Sequence, residues 1–202
     1  MVHHNSYLAL GDSYTIGESV ALHESFPYQT VQLLRNAKQH FYAPEIIAKT
    51  GWTSTELAEH LLHTKLNDHY DYVSLLIGVN NQYRGLSVSD FTTDVDFLLQ
   101  KAIHLAGNLP NKVIVLSIPD WGFTPFAKGK DQLLISKEID AFNSVCSYAA
   151  IKAKTHFINI TDETRAEKNN IQAIANDQLH YSGTTHLRWA EKVANTINKT
   201  LK

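Results

Sequence analysis

The chain has 202 residues, 44% of them hydrophobic and 19% charged, the balance of a globule able to bury about 70% of its unfolded surface without a disulfide or metal staple. Eighteen Lys and Arg against 20 Asp and Glu leave a formal charge of −2, so nothing electrostatic favours nucleic acid or an anionic membrane as partner. The apolar runs fall far short of the roughly 18 residues of a membrane span, so no span is expected.

No linker, repeat or low-complexity tract divides the chain, and one domain over residues 1–202 is expected. Met1 leads into polar His3-His4-Asn5. That is neither a basic nor an apolar leader, so no secretory signal is expected and cytoplasm is the default location. The first strand is predicted at Tyr7–Leu10, and it stops abruptly at Gly11-Asp12-Ser13. A helix follows near Pro27–Ala37, with Ser25 and Pro27 at its start. Next come a strand at Pro44–Ala48, the turn Thr50-Gly51-Trp52, and a helix at Ser54–Leu62 that Thr53 can cap. His60 and His63 lie one turn apart on that helix. With no third ligand in view they read as an exposed face, not a metal site.

A third strand, Tyr72–Ile77, runs into Gly78-Val79-Asn80-Asn81. The helix after it begins within Ser87-Val88-Ser89, covers Ser89–Ala106 and ends at Gly107, just before Pro110. Asp94-Val95-Asp96 falls inside that helix and reads as surface charge. Strand Val113–Ile118, helix Gln132–Lys152 and strand His156–Ile160 follow. The single Cys146 sits in the helix and reads as a buried, inert thiol. The last helix, Gly183–Lys199, is preceded by Ser182 and, in a loop, by Asp177-Gln178-Leu179-His180. This β-then-α order predicts a parallel sheet with helices on both faces and right-handed crossovers. Sites on such sheets lie beyond the carboxyl ends of the strands, where these polar blocks fall.

Their chemistry is that of acyl transfer. A serine is a poor nucleophile until a base takes its proton, and Ser13 follows a tight turn that exposes its hydroxyl beside free N–H groups. Asp177 and His180, three residues apart on one turn, can meet; the acid then fixes the imidazole tautomer. Asn80 offers an amide donor, and Gly51 an unobstructed N–H, to a developing oxyanion. Taken singly, each residue also reads as ordinary turn chemistry: Ser13 as a helix cap, Asn80 and Gly51 as turn positions, the Asp–His pair as a solvated loop. The case lies in their combination. No Gly-x-Ser-x-Gly, P-loop, Gly-x-Gly-x-x-Gly or His-Glu-x-x-His occurs, which removes the α/β-hydrolase elbow, nucleotide and zinc-protease readings. Trp121, Phe123, Pro125 and Phe126 crowd the stretch 120–131. They read equally as a substrate wall, with Trp121 and Phe123 foremost, or as a cover for the core.

In order and kind, these blocks resemble those of the SGNH hydrolases, the GDSL esterase/lipase family. Gly11-Asp12-Ser13 is similar to the nucleophile block, with Tyr14 where the family's name has Leu. Gly51 resembles the second-block glycine and Asp177-Gln178-Leu179-His180 the Asp-x-x-His block. Gly78-Val79-Asn80-Asn81 resembles a block that usually reads Gly-x-Asn-Asp, so Asn81 departs from it. The resemblance implies a flavodoxin-like three-layer α/β/α sandwich with a five-stranded parallel sheet. It implies Ser13 as nucleophile, His180 as base, Asp177 as its orienting acid, and an oxyanion hole from Ser13 N–H, Gly51 N–H and the Asn80 side chain. It implies hydrolysis of a small-molecule carboxylic ester without metal or organic cofactor. A carbohydrate O-deacetylase and a non-catalytic binding protein on the same fold are the rival readings. A chain this short, with no lid insertion, predicts an open groove suited to soluble or short-chain esters. Oligomeric state is not legible.

Overall fold

In a computed structural model, which describes residues 3–201, the chain runs β1 (Tyr7–Gly11), α1 (Ser13–Ile16), α2 (Phe26–Asn36), β2 (Glu45–Ala48), α3 (Ser54–His63), β3 (Tyr72–Leu76), α4 (Val79–Tyr83) and α5 (Val88–Leu105). It continues through β4 (Val113–Leu116), α6 (Gln132–Ala153), β5 (His156–Ile158), α7 (Thr161–Ala166) and α8 (Gly183–Thr200). The five strands form one parallel sheet in the order β2-β1-β3-β4-β5. The expected strands and long helices are all present, with ends displaced by one or two residues. The short α1, α4 and α7 were not anticipated.

Burial explains the strand order. All residues of β1, β3 and β4 are buried, whereas β2 and most of β5 are half-buried, as expected when central parallel strands are covered on both faces and edge strands are not. On α5 the buried side chains are Phe91, Val95, Leu98, Leu99, Ala102 and Leu105, one stripe at helical spacing. Each larger one contributes about 1.5–3 kcal/mol of burial. With right-handed crossovers, the step from β1 out to β2 and the steps from β2 through β5 place their helices on opposite faces. Accordingly α2 packs on α8, while α5 packs on both α3 and α6.

Two caps work as expected. Thr53 Oγ1 accepts from Glu56 N–H at 3.3 Å while the Glu56 carboxylate accepts from Thr53 N–H at 2.8 Å, a closed capping box. Ser87 accepts from Asp90 N–H at 3.0 Å. Ser25 does not cap α2: its hydroxyl donates to the Leu22 carbonyl at 2.9 Å, and Phe26 N–H instead finds His186 Nδ1 at 3.2 Å. Ser182 precedes α8 without a side-chain cap bond. Nor is Asp94 idle surface charge. Half-buried, it accepts from Ser54 Oγ at 2.6 Å and Thr55 Oγ1 at 2.7 Å, tying the start of α3 to α5.

The sheet reverses its winding between β1 and β3, which are adjacent in space but lead to opposite sides. A crevice opens at such a switch point, beyond the carboxyl ends of the two strands. Ser13 follows β1 and Asn80 follows β3.

Candidate active site

Ser13 is placed by the abrupt end of β1. Asp12 caps α1, its Oδ1 accepting from Tyr14 N–H at 3.0 Å, so Ser13 becomes the first helical residue. Gly11 is needed for space. A Cβ there would lie 2.1 Å from Thr15 Oγ1 and 2.3 Å from the Leu76 carbonyl oxygen, so only glycine lets β1, α1 and β3 approach. The Asp12 carboxyl is fully buried and its Oδ2 has no hydrogen-bond partner. Burial, opposed only partly by the backbone N–H groups of Tyr14, Asp12 and Gly78, raises its pKa to about 7.

Ser13 Oγ lies 2.9 Å from His180 Nε2, and His180 Nδ1 lies 2.5 Å from Asp177 Oδ2. The two ends of the chain, 167 positions apart, thus meet in one file of hydrogen bonds. Gln178, between acid and base, adopts φ +65. That kink lets Asp177 Oδ1 accept the N–H groups of Leu179 and His180 at 3.0 and 2.9 Å. Ser19, which the sequence did not single out, donates to Asp177 Oδ2 at 2.7 Å. Burial alone would raise the Asp177 pKa, but the hydrogen bonds from Ser19, His180 and the two amides outweigh it and hold the carboxyl well below the usual range. A carboxylate at Nδ1 places a proton there and leaves Nε2 as acceptor.

Asn80 reaches across the crevice to the turn that carries Gly51. Asn80 Nδ2 donates one hydrogen to the Trp52 carbonyl at 2.9 Å, which leaves the amide a second donor, and Asn80 and Ser13 line one pocket. Arg84, just past α4, donates to the Gly51 carbonyl at 2.5 Å, holding the same turn against α4. Gly51 adopts φ +84, where other residues are strained. Among the described residues, neither Gly51 N–H nor Ser13 N–H has an acceptor. Asn81 is buried elsewhere, paired with Ser54.

The pocket at Ser13 has a volume of about 170 Å³. It is narrower than the open groove expected, and Ser13 and His180 are only 5% and 8% exposed. Val79, Tyr83, Trp121, Phe126 and Leu179 form its apolar wall. Trp121 thus lines the pocket at Ser13 and is buried as well, anchored by an indole N–H bond to Gln82 Oε1 at 2.7 Å. Phe123 does not. It lines a separate cleft with Pro125, Lys128, Ile171 and Ile174, because consecutive 3₁₀ turns at Trp121–Phe123 and Pro125–Ala127 send Trp121 and Phe126 one way and Phe123 the other. Tyr83 was missed because it depends on α4, a helix too short to show a period. Leu179 was in plain view between the acid and the base.

The loop is fixed from below. Buried Asp120 pairs with Arg165 at 2.8 Å, and its carbonyl accepts the Tyr181 hydroxyl at 2.8 Å, so the wall is tied to the residue after His180. Among the described residues no group of three or more His, Cys, Asp or Glu could hold a metal ion. His60 and His63 are exposed, and the His60 ring lies against Trp52. Cys146 is buried, which pushes its thiol up to about 12. No helix among the described residues is long and apolar enough to cross a membrane.

Solved structures share this fold. A lipase/acylhydrolase from Enterococcus faecalis superposes with a TM-score of 0.74 at 18% identity, over 97% of this chain and 96% of that one. An acetylxylan esterase, Axe2, from Geobacillus stearothermophilus gives 0.75 at 17%, over 97% and 95%. The psychrotrophic esterase EstA from a Pseudoalteromonas species, solved with monoethylphosphonate, gives 0.69 at 18%, over 98% of both chains. No curated protein matches the chain by sequence. The family model of the GDSL-like lipases and acylhydrolases matches residues 9–188, a span that begins within β1 and takes in Ser13, the switch-point crevice and the Asp177–His180 turn, and the chain belongs to that family.

Proposed function

We propose that this protein is a serine esterase that hydrolyses carboxylic esters of small or short-to-medium acyl chains. The observation that carries the reading is the unbroken file Ser13 Oγ, His180 Nε2, His180 Nδ1, Asp177 Oδ2, with steps of 2.9 and 2.5 Å, at the switch point of the sheet. Ser13 Oγ attacks the ester carbonyl carbon as its proton passes to His180 Nε2. The carbonyl oxygen becomes an oxyanion and accepts from Ser13 N–H, Gly51 N–H and the second hydrogen of Asn80 Nδ2. Collapse of the intermediate breaks the bond to the alcohol oxygen, which takes the proton from His180. Water then attacks the acyl-enzyme with His180 again as base, releasing the acid and restoring Ser13. Asp177, held ionised, keeps the imidazole oriented and stabilises the imidazolium.

The apolar wall and the volume of about 170 Å³ support short acyl groups. The same small volume is compatible with acetyl alone, so an O-deacetylase is the second reading. Hydrolysis of acetyl, butyryl and octanoyl esters of one chromogenic alcohol separates the two: the esterase accepts butyryl, the deacetylase does not. A phosphonate probe should label wild type at Ser13 and leave Ser13→Ala unlabelled. Ser13→Ala should also lose turnover by several orders of magnitude. Equal turnover in the two proteins sinks the proposal.

A further inference from the structure

We propose that Ser19 is a positioning residue of this site, its hydroxyl clamping Asp177 and drawing off part of the charge that the carboxylate would otherwise give wholly to His180. The inference rests on the reading of Ser13, His180 and Asp177 just given. Asp177 Oδ2 serves two donors at once, Ser19 Oγ at 2.7 Å and His180 Nδ1 at 2.5 Å. Its other oxygen is held only by amides of its own loop. Among the described residues, Ser19 supplies the one hydrogen bond from Asp177 to another part of the chain, 158 positions away.

That part is the segment carrying the nucleophile. α1 ends at Gly17 in the left-handed conformation, and the N–H groups of Gly17 and Glu18 both donate to the Ser13 carbonyl, at 3.1 and 3.0 Å. The Glu18 carboxylate accepts from the Thr50 hydroxyl, next to Gly51. Nucleophile, acid clamp and glycine turn are therefore linked through three consecutive residues after α1, Gly17, Glu18 and Ser19. Ser19 itself adopts φ +66, a region that residues other than Gly, Asn and Asp seldom occupy. An exposed residue under such strain is more simply a glycine. A hydroxyl kept there, bonded to the acid, points to a requirement for the donor.

The consequence is electrostatic as well as geometric. A hydrogen bond from Ser19 withdraws negative charge from Oδ2 and weakens its hold on an imidazolium. Removing it lets His180 keep its proton to higher pH and lets the carboxylate swing. The other titratable groups facing the pair do not mask this. Tyr14 on α1 and His186 on α8 are held neutral by burial, Glu18 is engaged by Thr50, and buried Asp12, raised to about 7, is common to wild type and every variant, so its titration cancels from the difference between them.

The test follows the His180 ring by NMR across pH in the full chain, with wild type, Ser19→Ala, Ser19→Gly and Ser19→Asn. Ala and Gly should both raise the titration midpoint by about half a pH unit. Asn, which tolerates the left-handed region and carries an amide donor, should return it toward wild type. With a short-chain ester, kcat should fall about 3–10-fold in Ala and Gly, the worth of one hydrogen bond, with KM within about twofold. Glycine relieves the backbone strain, so a loss shared by both variants cannot be a conformational defect. An unchanged midpoint in both variants, or a shift that Asn does not reverse, overturns the proposal. Ring titration needs no turnover, so a wild type without ester hydrolysis sinks the esterase reading and leaves this test intact.

Discussion

Asn81 clasps Ser54 from both ends of its amide: Oδ1 accepts from Ser54 N–H at 2.9 Å and Nδ2 donates to Ser54 Oγ at 2.7 Å. Asn81 is 2% exposed, so it serves the start of α3 while its neighbour Asn80 lines the pocket. The departure from the family's usual Gly-x-Asn-Asp is thereby explained. The Ser54 hydroxyl gives its hydrogen to Asp94, so an ionised acid at position 81 could accept only from Ser54 N–H, whereas the amide adds a donor that the hydroxyl accepts.

The two asparagines should therefore fail differently. Asn80→Ala removes a donor to a charge that exists only after attack, so kcat should fall by about 10²–10³ while KM moves little. Asn81→Ala leaves the buried Ser54 N–H without an acceptor and should cost about 1–3 kcal/mol of stability, with kcat close to wild type below its melting point. Steady-state kinetics and thermal melts on both variants decide this. If Asn81→Ala loses the rate and Asn80→Ala does not, the oxyanion role has been assigned to the wrong amide.

Asp12 sets a pH dependence of stability. Its folded value of about 7 stands above the ordinary 3.8, so between roughly pH 4 and 7 the folded chain keeps a proton that the unfolded chain has released. Stability contributed by this group is full at low pH and is lost as pH rises through that window. At about 1.4 kcal/mol per pH unit, the loss is up to about 4 kcal/mol. Asp12→Asn keeps the oxygen that caps Tyr14 N–H and cannot ionise. Its melting temperature should match wild type near pH 4 and exceed it at pH 8, as scanning calorimetry would show. A variant that is less stable than wild type at pH 8 would mean that the ionised carboxylate is satisfied in the folded state.

What the sequence made legible was what repeats or what punctuates. β1 is readable because an apolar run ends at Gly11-Asp12-Ser13, and α5 because its buried residues recur at helical spacing over 18 residues. The candidate acid, base, nucleophile and amide were visible because each sits directly after such a run or before a long helix. The short α1, α4 and α7, of four to six residues, span too little for a period to show, and Tyr83 was lost with α4. Ser19 left no local mark at all, since its partner is far away in sequence. Phe123 was misplaced because sequence shows that aromatics crowd a loop but not which way successive 3₁₀ turns aim them.

That last distinction can be tested through acyl preference. Phe126 lines the pocket at Ser13 and is 39% exposed, with its ring 5.9 Å from Trp121 and 6.4 Å from Tyr83. It closes the outer side of the wall without supporting the core, so Phe126→Ala should lengthen the pocket at little cost to folding. Trp121, by contrast, is 4% exposed and bonded to Gln82, and its truncation would leave a cavity and an unpaired amide oxygen. Several methylenes of an octanoyl chain could then lie where the Phe126 ring was, each contributing about 0.8 kcal/mol when buried. The ratio of kcat/KM for octanoyl over acetyl ester should rise by about tenfold or more in Phe126→Ala. Phe123→Ala empties space only in the neighbouring cleft and should leave that ratio unchanged. Chain-length profiles of the two variants against wild type settle which aromatic bounds the acyl group. A ratio that rises with Phe123→Ala and not with Phe126→Ala would place the acyl chain in the larger cleft and overturn the assignment of the wall.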